Sequence, residues 1–429
     1  MTEASTLKVA VVGSGPAGCY LAEKLGKLAP EGEVDVIDRL PTPFGLVRAG
    51  VAPDHQGTKA IARVLARSLG RGPCAFWGNV EVGRDVTLAE LRALYDAVVL
   101  ATGAPEDRKL GLPGEELSGV HGSGAFVGWY NCHPEHAGLA PDLSQVRSAV
   151  VIGNGNVAID VARVLGKTVE EMAASDIAPA TAAAISAAPL EHIHLVGRRG
   201  PAEAKFTAAE LQEMGTLTAL KPVLNPEDFS GAAGEETPVL EILRGFTGDA
   251  MAEKPVSLHF DFMLQPEAFL GRERLEAVRF QRMRPDGQGG YAATGEAVEI
   301  PAQLAVTCVG YESVACCARS PEAGLFPNRD GRIEDGLYVV GWAKRGPSGT
   351  IATNRAESHA VAEKLAGEIA PADKLGRAGL RSLLEGRGVR AVDFAAWQAI
   401  EAAEAAQAKQ GRVREKFARI EDMLAVLDG

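Results

Sequence analysis

Two glycine-rich turns of one kind, Gly13-Ser14-Gly15-Pro16-Ala17-Gly18 and Gly153-Asn154-Gly155-Asn156-Val157-Ala158, each follow directly on an apolar run, and that repetition limits what the chain can fold into. A turn of this spacing between a buried strand and a helix builds a dinucleotide-binding unit. The first glycine makes the tight turn, the second lets backbone approach a pyrophosphate, and the third lets helix pack on strand while the helix N-terminus faces the phosphates. One such unit points to a dehydrogenase; two point to a flavoprotein reductase.

Around the first turn the order is strand (Val9 to Val12), turn, and helical spacing from Cys19 to Leu28. A second strand, Val34-Asp35-Val36-Ile37, ends in Asp38. An acid at that place accepts ribose hydroxyls, which favours FAD or NAD over NADP. Gly13, Gly15, Pro16, Ala17 and Asp38 are therefore the first candidate cofactor residues. In the second unit Ala149 to Ile152 is the strand, alanine replaces the third glycine, and a helix continues from Val157 to Leu165. Its next strand, His192 to Gly197, ends in Arg198-Arg199 instead of an acid. Two guanidiniums there suit a 2'-phosphate, because each can offer it charge-assisted donors. Asn154, Gly155, Asn156, Val157, Arg198 and Arg199 are thus expected to hold NADP(H).

At 429 residues, 46% hydrophobic and 23% charged, the chain has the composition of a globular protein with room for two or three domains. No apolar run reaches the roughly 18 residues a membrane helix needs, and the N-terminus leads almost straight into the first strand, so the expectation is a cytoplasmic protein without a membrane partner. A net charge of -12 argues against nucleic acid. The six cysteines show neither a CxxC pair nor cluster or zinc spacing, and His133 with His136, like His192 with His194, lacks a complete ligand set, so no metal is expected. Without a redox-active CxxC, electrons must leave to a separate partner.

A third strand, Ala97 to Leu100, runs into Ala101-Thr102-Gly103-Ala104, where the chain can cross between domains, and Ala305 to Tyr311 reads as the counterpart crossing. The expected fold is α/β, with two Rossmann-like, three-layer dinucleotide-binding domains. The NADP(H) domain (106–330) is inserted in a discontinuous FAD domain (1–105 and 331–429). Met172 to Leu190 reads as a small-residue surface insertion, and 225–255 as solvated loop between short strands. The tail from Phe394 reads as helical with a break near Gly411, its charges a solvated face. Gly346-Pro347-Ser348-Gly349 is turn chemistry that lets backbone approach a flat ring. A helix from Asn354 onward would aim its positive end at charge on a reduced flavin.

The run Pro41-Thr42-Pro43-Phe44-Gly45-Leu46-Val47-Arg48-Ala49-Gly50-Val51-Ala52-Pro53-Asp54-His55 resembles a signature of the adrenodoxin-reductase-like ferredoxin-NADP(+) reductases. The resemblance continues through Phe126-Val127-Gly128-Trp129-Tyr130-Asn131, Val151 to Arg163, Val196 to Pro201 with Phe206-Thr207 and Glu210-Leu211, and Gly341 to Ile351, and so covers nearly the whole chain. It implies an FAD enzyme that takes hydride from NADPH and passes single electrons to a separate ferredoxin, which can serve a cytochrome P450 or another iron-sulfur-dependent system. A self-contained NADPH-dependent flavin oxidase, or a reductase of quinones or other small molecules, is the alternative. By the same resemblance, FAD is held around Ala17, Asp38, Leu46 and Val82, with Trp342, Gly349, Thr350 and Ile351 against its ring. NADP contacts fall on Asn154 to Val157, Arg198, Arg199, Glu210 and Gly349. His55 is paired with Glu213 as a catalytic couple that relays a proton or tunes the nicotinamide pocket. The chain departs from the family pattern at Asp38, Asn154 and Cys132, where glutamate, glutamine and glycine are usual.

Overall fold

The structure, a computed structural model, describes residues 5–232, 236–247, 253–316, 324–409 and 411–428. The chain divides into two units, one made of 1–106 together with 311–429 and one of 107–310.

The first unit is built on a six-stranded sheet in the order Arg332–Glu334, Leu337–Val339, Ala97–Leu100, Lys8–Val12, Glu33–Ile37, Cys74–Trp77. All neighbours but the first pair run parallel. The central strands are apolar on both faces because both faces are covered. On one side Val9, Val11, Val34 and Val36 pack with Leu21 and Leu25 of the helix Pro16–Leu28 and with Val361 and Leu365 of the helix Ile351–Glu368. On the other, Ala10, Val12, Val98 and Leu100 pack with Leu380 and Leu384. The two helices of the first side are joined by an ion pair, Lys24–Glu363 at 2.6 Å, and by the edge-to-face rings of Tyr20 and His359.

The chain returns to this unit at residue 311, earlier than the boundary at 330 expected from the sequence. The reason lies in two anchors. Ser313 Oγ donates to the Gly103 carbonyl at 3.0 Å, and Phe326, 1% exposed, sits in the core with Leu337 and Val339.

The second unit carries its own six-stranded parallel sheet, ordered Val120–Gly122, Leu304–Thr307, Ser148–Ile152, His192–Val196, Val256–Asp261, Leu220–Leu224. A three-stranded antiparallel sheet, Leu264–Gly271, Leu275–Pro285 and Tyr291–Pro301, which the sequence pattern does not announce, adds to it. Phe269, Leu275, Val278 and Phe280 of this sheet share a core with Val150, Ile152 and Val196. Two further expectations need correction. The alanine-rich stretch 172–190 is anchored, not superficial: Met172, Ile177 and Ile185 are buried, and a helix spans Pro179–Ser186. Residues 225–255 are not simply loop, since a helix runs over Pro238–Gly245, capped by Thr237 and burying Leu240 and Leu243. Within that stretch, Ala233 to Glu235 and Gly248 to Ala252 lie outside the described residues.

Candidate functional site

In the first unit the three glycines do separate work. Gly13 has φ +109, and a Cβ there would collide with the Ala101 carbonyl. At Gly18 a Cβ would collide with the carbonyl of Gly13, so the helix lies against its strand as closely as backbone allows. At Gly15 a Cβ would meet nothing within 4 Å. This residue is the N-cap of Pro16–Leu28 and no side chain caps that helix, so an open backbone face and free first-turn N–H groups coincide. That is the cradle a pyrophosphate requires, and FAD fits it. Pro16 occupies the first helical turn and Ala17 is buried behind it. Asp38 closes the turn: its Oδ2 accepts from Ser14 N at 2.9 Å and Ser14 Oγ at 2.5 Å, and its Oδ1 from Leu40 N at 3.0 Å. The carboxylate therefore orders the turn as well as standing where ribose hydroxyls are expected. Ser14, fully buried, was missed because it is an unassigned letter of the motif.

The signature run folds onto this turn. Phe44 N donates to the Ser14 carbonyl at 3.0 Å, and a Cβ at Gly45 would lie 3.3 Å from Gly15 Cα. Phe44 itself is held at φ +83, a strained conformation for a bulky residue, with its ring edge-to-face against Trp397 at 5.2 Å. Leu46 begins the short helix Leu46–Ala49 and is 48% exposed. Arg48 in that helix makes a two-pronged ion pair with the fully buried Glu404, at 2.9 and 2.5 Å, and Phe417 N also donates to Glu404. The tail's charges are thus not simply a solvated face: its helix Phe394–Ala406 clamps the signature run. His55, half-buried, is the N-cap of the next short helix, Gln56–Lys59. Val82 sits in a tight turn closed by Gly83 N to the Val86 carbonyl.

The late segment reaches the same turn, because a Cβ at Gly341 would lie 2.7 Å from Ala17 Cβ. Trp342 is half-buried, stacks on Tyr311 at 5.9 Å, and donates from Nε1 to the Ser348 carbonyl. Arg345 bonds that carbonyl too and pairs with Glu357. Gly349 has φ +81. The helix begins at Ile351 rather than Asn354, capped by Thr350, because Thr350 and Thr353 bond each other's backbone. Thr350 and Ile351 are thus its cap and first residue. Cys19 and Cys74 lie beneath the site as free thiols. Burial, with Asp38 adding, pushes the Cys19 thiol far up, and burial pushes Cys74 up to about 11.

In the second unit a Cβ at Gly153 would lie 2.5 Å from the Cys308 carbonyl, whereas Gly155 again faces open space and caps the helix Asn156–Gly166 with no side-chain cap. Ala158 is fully buried where the first unit needs glycine. Asn156 Oδ1 accepts from Thr207 N, and the Asn154 carbonyl from Lys205 N. Asn154 Oδ1 is buried with no partner, so the second cradle holds an orphaned acceptor beside its open backbone, and a dinucleotide fits here as well. Val157 follows in the first turn of the helix. Arg198 and Arg199 are exposed at the strand end, and neither forms an ion pair among the described residues. Glu210 and Glu213 project from the helix Ala208–Thr216. Glu210 is bound at 3.0 Å by Arg163, a fully buried guanidinium that also holds Asp160, and Glu213 is bound at 2.7 Å by Lys167. Arg163 was missed: only a fold that pairs these two helices makes it central.

Residues 7–199 match the family model for pyridine nucleotide-disulphide oxidoreductases. The chain is 40% identical to human mitochondrial NADPH:adrenodoxin oxidoreductase, covering 99% of this chain and 93% of that protein. It is 39% identical to the same enzyme of Arabidopsis thaliana, over 98% and 95%, and 37% identical to the NADPH-ferredoxin reductase FprA of Mycobacterium tuberculosis, over 97% and 98%. The structure of M. tuberculosis FprA in complex with NADPH aligns with a TM-score of 0.92, at 37% identity, covering 99% of this chain and all of that one.

Proposed function

The chain belongs to the adrenodoxin-reductase-like ferredoxin-NADP(+) reductases, and from that premise we propose that it is an FAD-dependent reductase that moves electrons from NADPH to a separate ferredoxin. The observation that carries this is the asymmetry of the two cradles: equivalent open glycine turns, one closed by Asp38 and the other followed by an exposed arginine pair. FAD belongs to the first and NADP(H) to the second. When bound, FAD supplies the chemistry that accepts a hydride from NADPH and releases electrons one at a time. The chain's residues bind and orient. The two uncapped helix N-termini stabilise the phosphates, Asp38 takes ribose hydroxyls, and Arg198 with Arg199 takes the 2'-phosphate. Trp342 and Gly349 to Ile351 form the platform for the flavin ring, and Leu46 and the backbone near Val82 help hold FAD. His55 and Glu213 hold or relay a proton near the nicotinamide. The ferredoxin acceptor in turn feeds a cytochrome P450 or another iron-sulfur-dependent system. No helix among the described residues is long and apolar enough to cross a membrane; a cytoplasmic setting is part of this proposal.

Rapid mixing of the flavin-loaded protein with NADPH or NADH tests this. NADPH bleaches the flavin faster, and cytochrome c is then reduced only when ferredoxin is added. Arg198→Ala or Arg199→Ala raises KM for NADPH about 10- to 100-fold, the worth of a charge-assisted bond. Ferredoxin-independent turnover with oxygen or a quinone would overturn the assignment of the acceptor.

A further inference from the structure

The arginine pair sits in a backbone segment that is held from the antiparallel sheet. The Gly197 carbonyl accepts from Leu264 N at 3.0 Å, and the Arg199 carbonyl from Met263 N at 3.1 Å. Gly200 N donates to the Tyr291 hydroxyl at 2.9 Å, and that hydroxyl donates to Glu203 Oε1 at 2.8 Å. Met263 has φ +56, and its carbonyl accepts from Met283 N at 2.7 Å, so the residue that grips Arg199 is itself pinned to the middle strand. On the other side the segment is tied to the glycine turn by Lys205 N to the Asn154 carbonyl and Thr207 N to Asn156 Oδ1. Three strands of one sheet and one turn of the other thereby fix the main chain of Arg198-Arg199, while both guanidiniums stay exposed and unpaired among the described residues.

Most of these bonds join backbone to backbone and carry no sequence information. The exception on the sheet side is Tyr291. Its phenol is half-buried, and a Cβ at Gly200 would lie 2.9 Å from the hydroxyl, so the approach is close. Burial pushes the phenol's pKa up, with Glu203 adding and with the Gly200 N–H and the Arg199 charge opposing, so the hydroxyl keeps its proton and both bonds persist at neutral pH.

We propose that Tyr291 is a positioning residue for NADPH selectivity: by holding Gly200 N–H and Glu203 it fixes where Arg198 and Arg199 leave the strand, and so tunes recognition of the 2'-phosphate. This rests on the assignment of the arginine pair to that phosphate. A ribose-only nucleotide does not reach the pair and gains nothing from Tyr291.

The test is Tyr291→Phe in the flavin-loaded full chain, which keeps the ring and removes the hydroxyl. The readouts are ferricyanide reduction with NADPH and with NADH, and dissociation constants for 2',5'-ADP and 5'-AMP. We expect KM for NADPH and Kd for 2',5'-ADP to rise about 3- to 10-fold, the worth of one or two ordinary hydrogen bonds. Turnover number, KM for NADH and Kd for 5'-AMP change less than about twofold on the same scale. Unchanged NADPH and 2',5'-ADP values overturn the proposal, and so does an equal loss for both nucleotides, which would mark general loosening. If the wild-type protein itself fails to distinguish 2',5'-ADP from 5'-AMP, the assignment of the arginine pair fails first, and the proposal falls with it.

Discussion

At the scale of single residues, Gly15 and Gly18 exclude side chains for opposite reasons, and substitution separates them. A methyl group at Gly18 meets the Gly13 carbonyl, backbone that cannot move without parting helix from strand, whereas one at Gly15 enters open space. Gly18→Ala is expected to destabilise the first unit by about 1–3 kcal/mol, an overpacking cost, with or without flavin. Gly15→Ala should leave the flavin-free protein as stable as wild type and weaken FAD binding alone. Thermal unfolding of deflavinated and FAD-loaded proteins checks both, and equal behaviour of the two variants would contradict the assigned roles. These residues were legible in the sequence because spacing and chemistry coincide in one short window. Ser14 and Arg163 were not. Each takes its role from a partner brought by the fold, Asp38 for the first and Glu210 for the second.

At the scale of elements, the tail helix Phe394–Ala406 holds the signature run through one buried charge pair. Glu404→Gln leaves Arg48 half-answered in a site that excludes water, a change of about 3 kcal/mol. Earlier heat-induced release of FAD, with unchanged affinity for NADP+, is the expected outcome, and flavin fluorescence during a thermal ramp reads it. Nothing local could have announced this contact, since 356 residues separate its partners. The antiparallel sheet was hidden differently: register shifts at Pro266/Ala268 and Gln281/Met283 break the alternation that marks a strand. The alanine-rich stretch 172–190 offered no contrast between a buried and an exposed face, whereas in the separate stretch 225–255 Thr237-Pro238 was a readable start signal for the helix Pro238–Gly245.

The second unit also carries a response to acid, through His259 on the strand Val256–Asp261 and Asp228 in the short helical turn Pro226–Ala232. His259 is held down at about 4 by burial, with His194 and His192 adding and Asp261 opposing. The folded chain therefore binds fewer protons than the unfolded one between about 4 and the ordinary 6.5, and acidification through that window removes stability. Asp228 is pushed up to about 6, first by burial, with Asp261 and Glu227 adding and Arg282 opposing. Its folded form binds more protons between the ordinary 3.8 and about 6, so the same acidification restores stability. Relative to wild type, His259→Gln should lose less stability between about pH 7 and pH 5, and Asp228→Asn should lose more. Melting temperatures at the two pH values decide, and identical losses in all three proteins would refute the assignment.

At the scale of the whole molecule, each unit has its own sheet, its own core and its own glycine turn. NADP+ at a hundredfold excess over its Kd is worth about 2.7 kcal/mol to the unit that binds it. Calorimetry of the flavin-loaded protein should show NADP+ raising one unfolding transition and leaving the other in place; a shift of both would mean that the units melt as one. The doubly Rossmann-like architecture was legible because each unit repeats the same local grammar of strand, turn and helix. The return point of the chain was not, since Phe326 belongs to a core assembled from strands of distant sequence. The interrupted layout of the first unit also dictates an order of events during synthesis. Strand Leu337–Val339, which completes the sheet beside Ala97–Leu100, and helix Ile351–Glu368, which covers Pro16–Leu28, leave the ribosome only after all of 107–310. The nucleotide unit is encoded without interruption and can finish folding first, while the nascent flavin unit waits with its glycine turn already made and its far wall still unwritten.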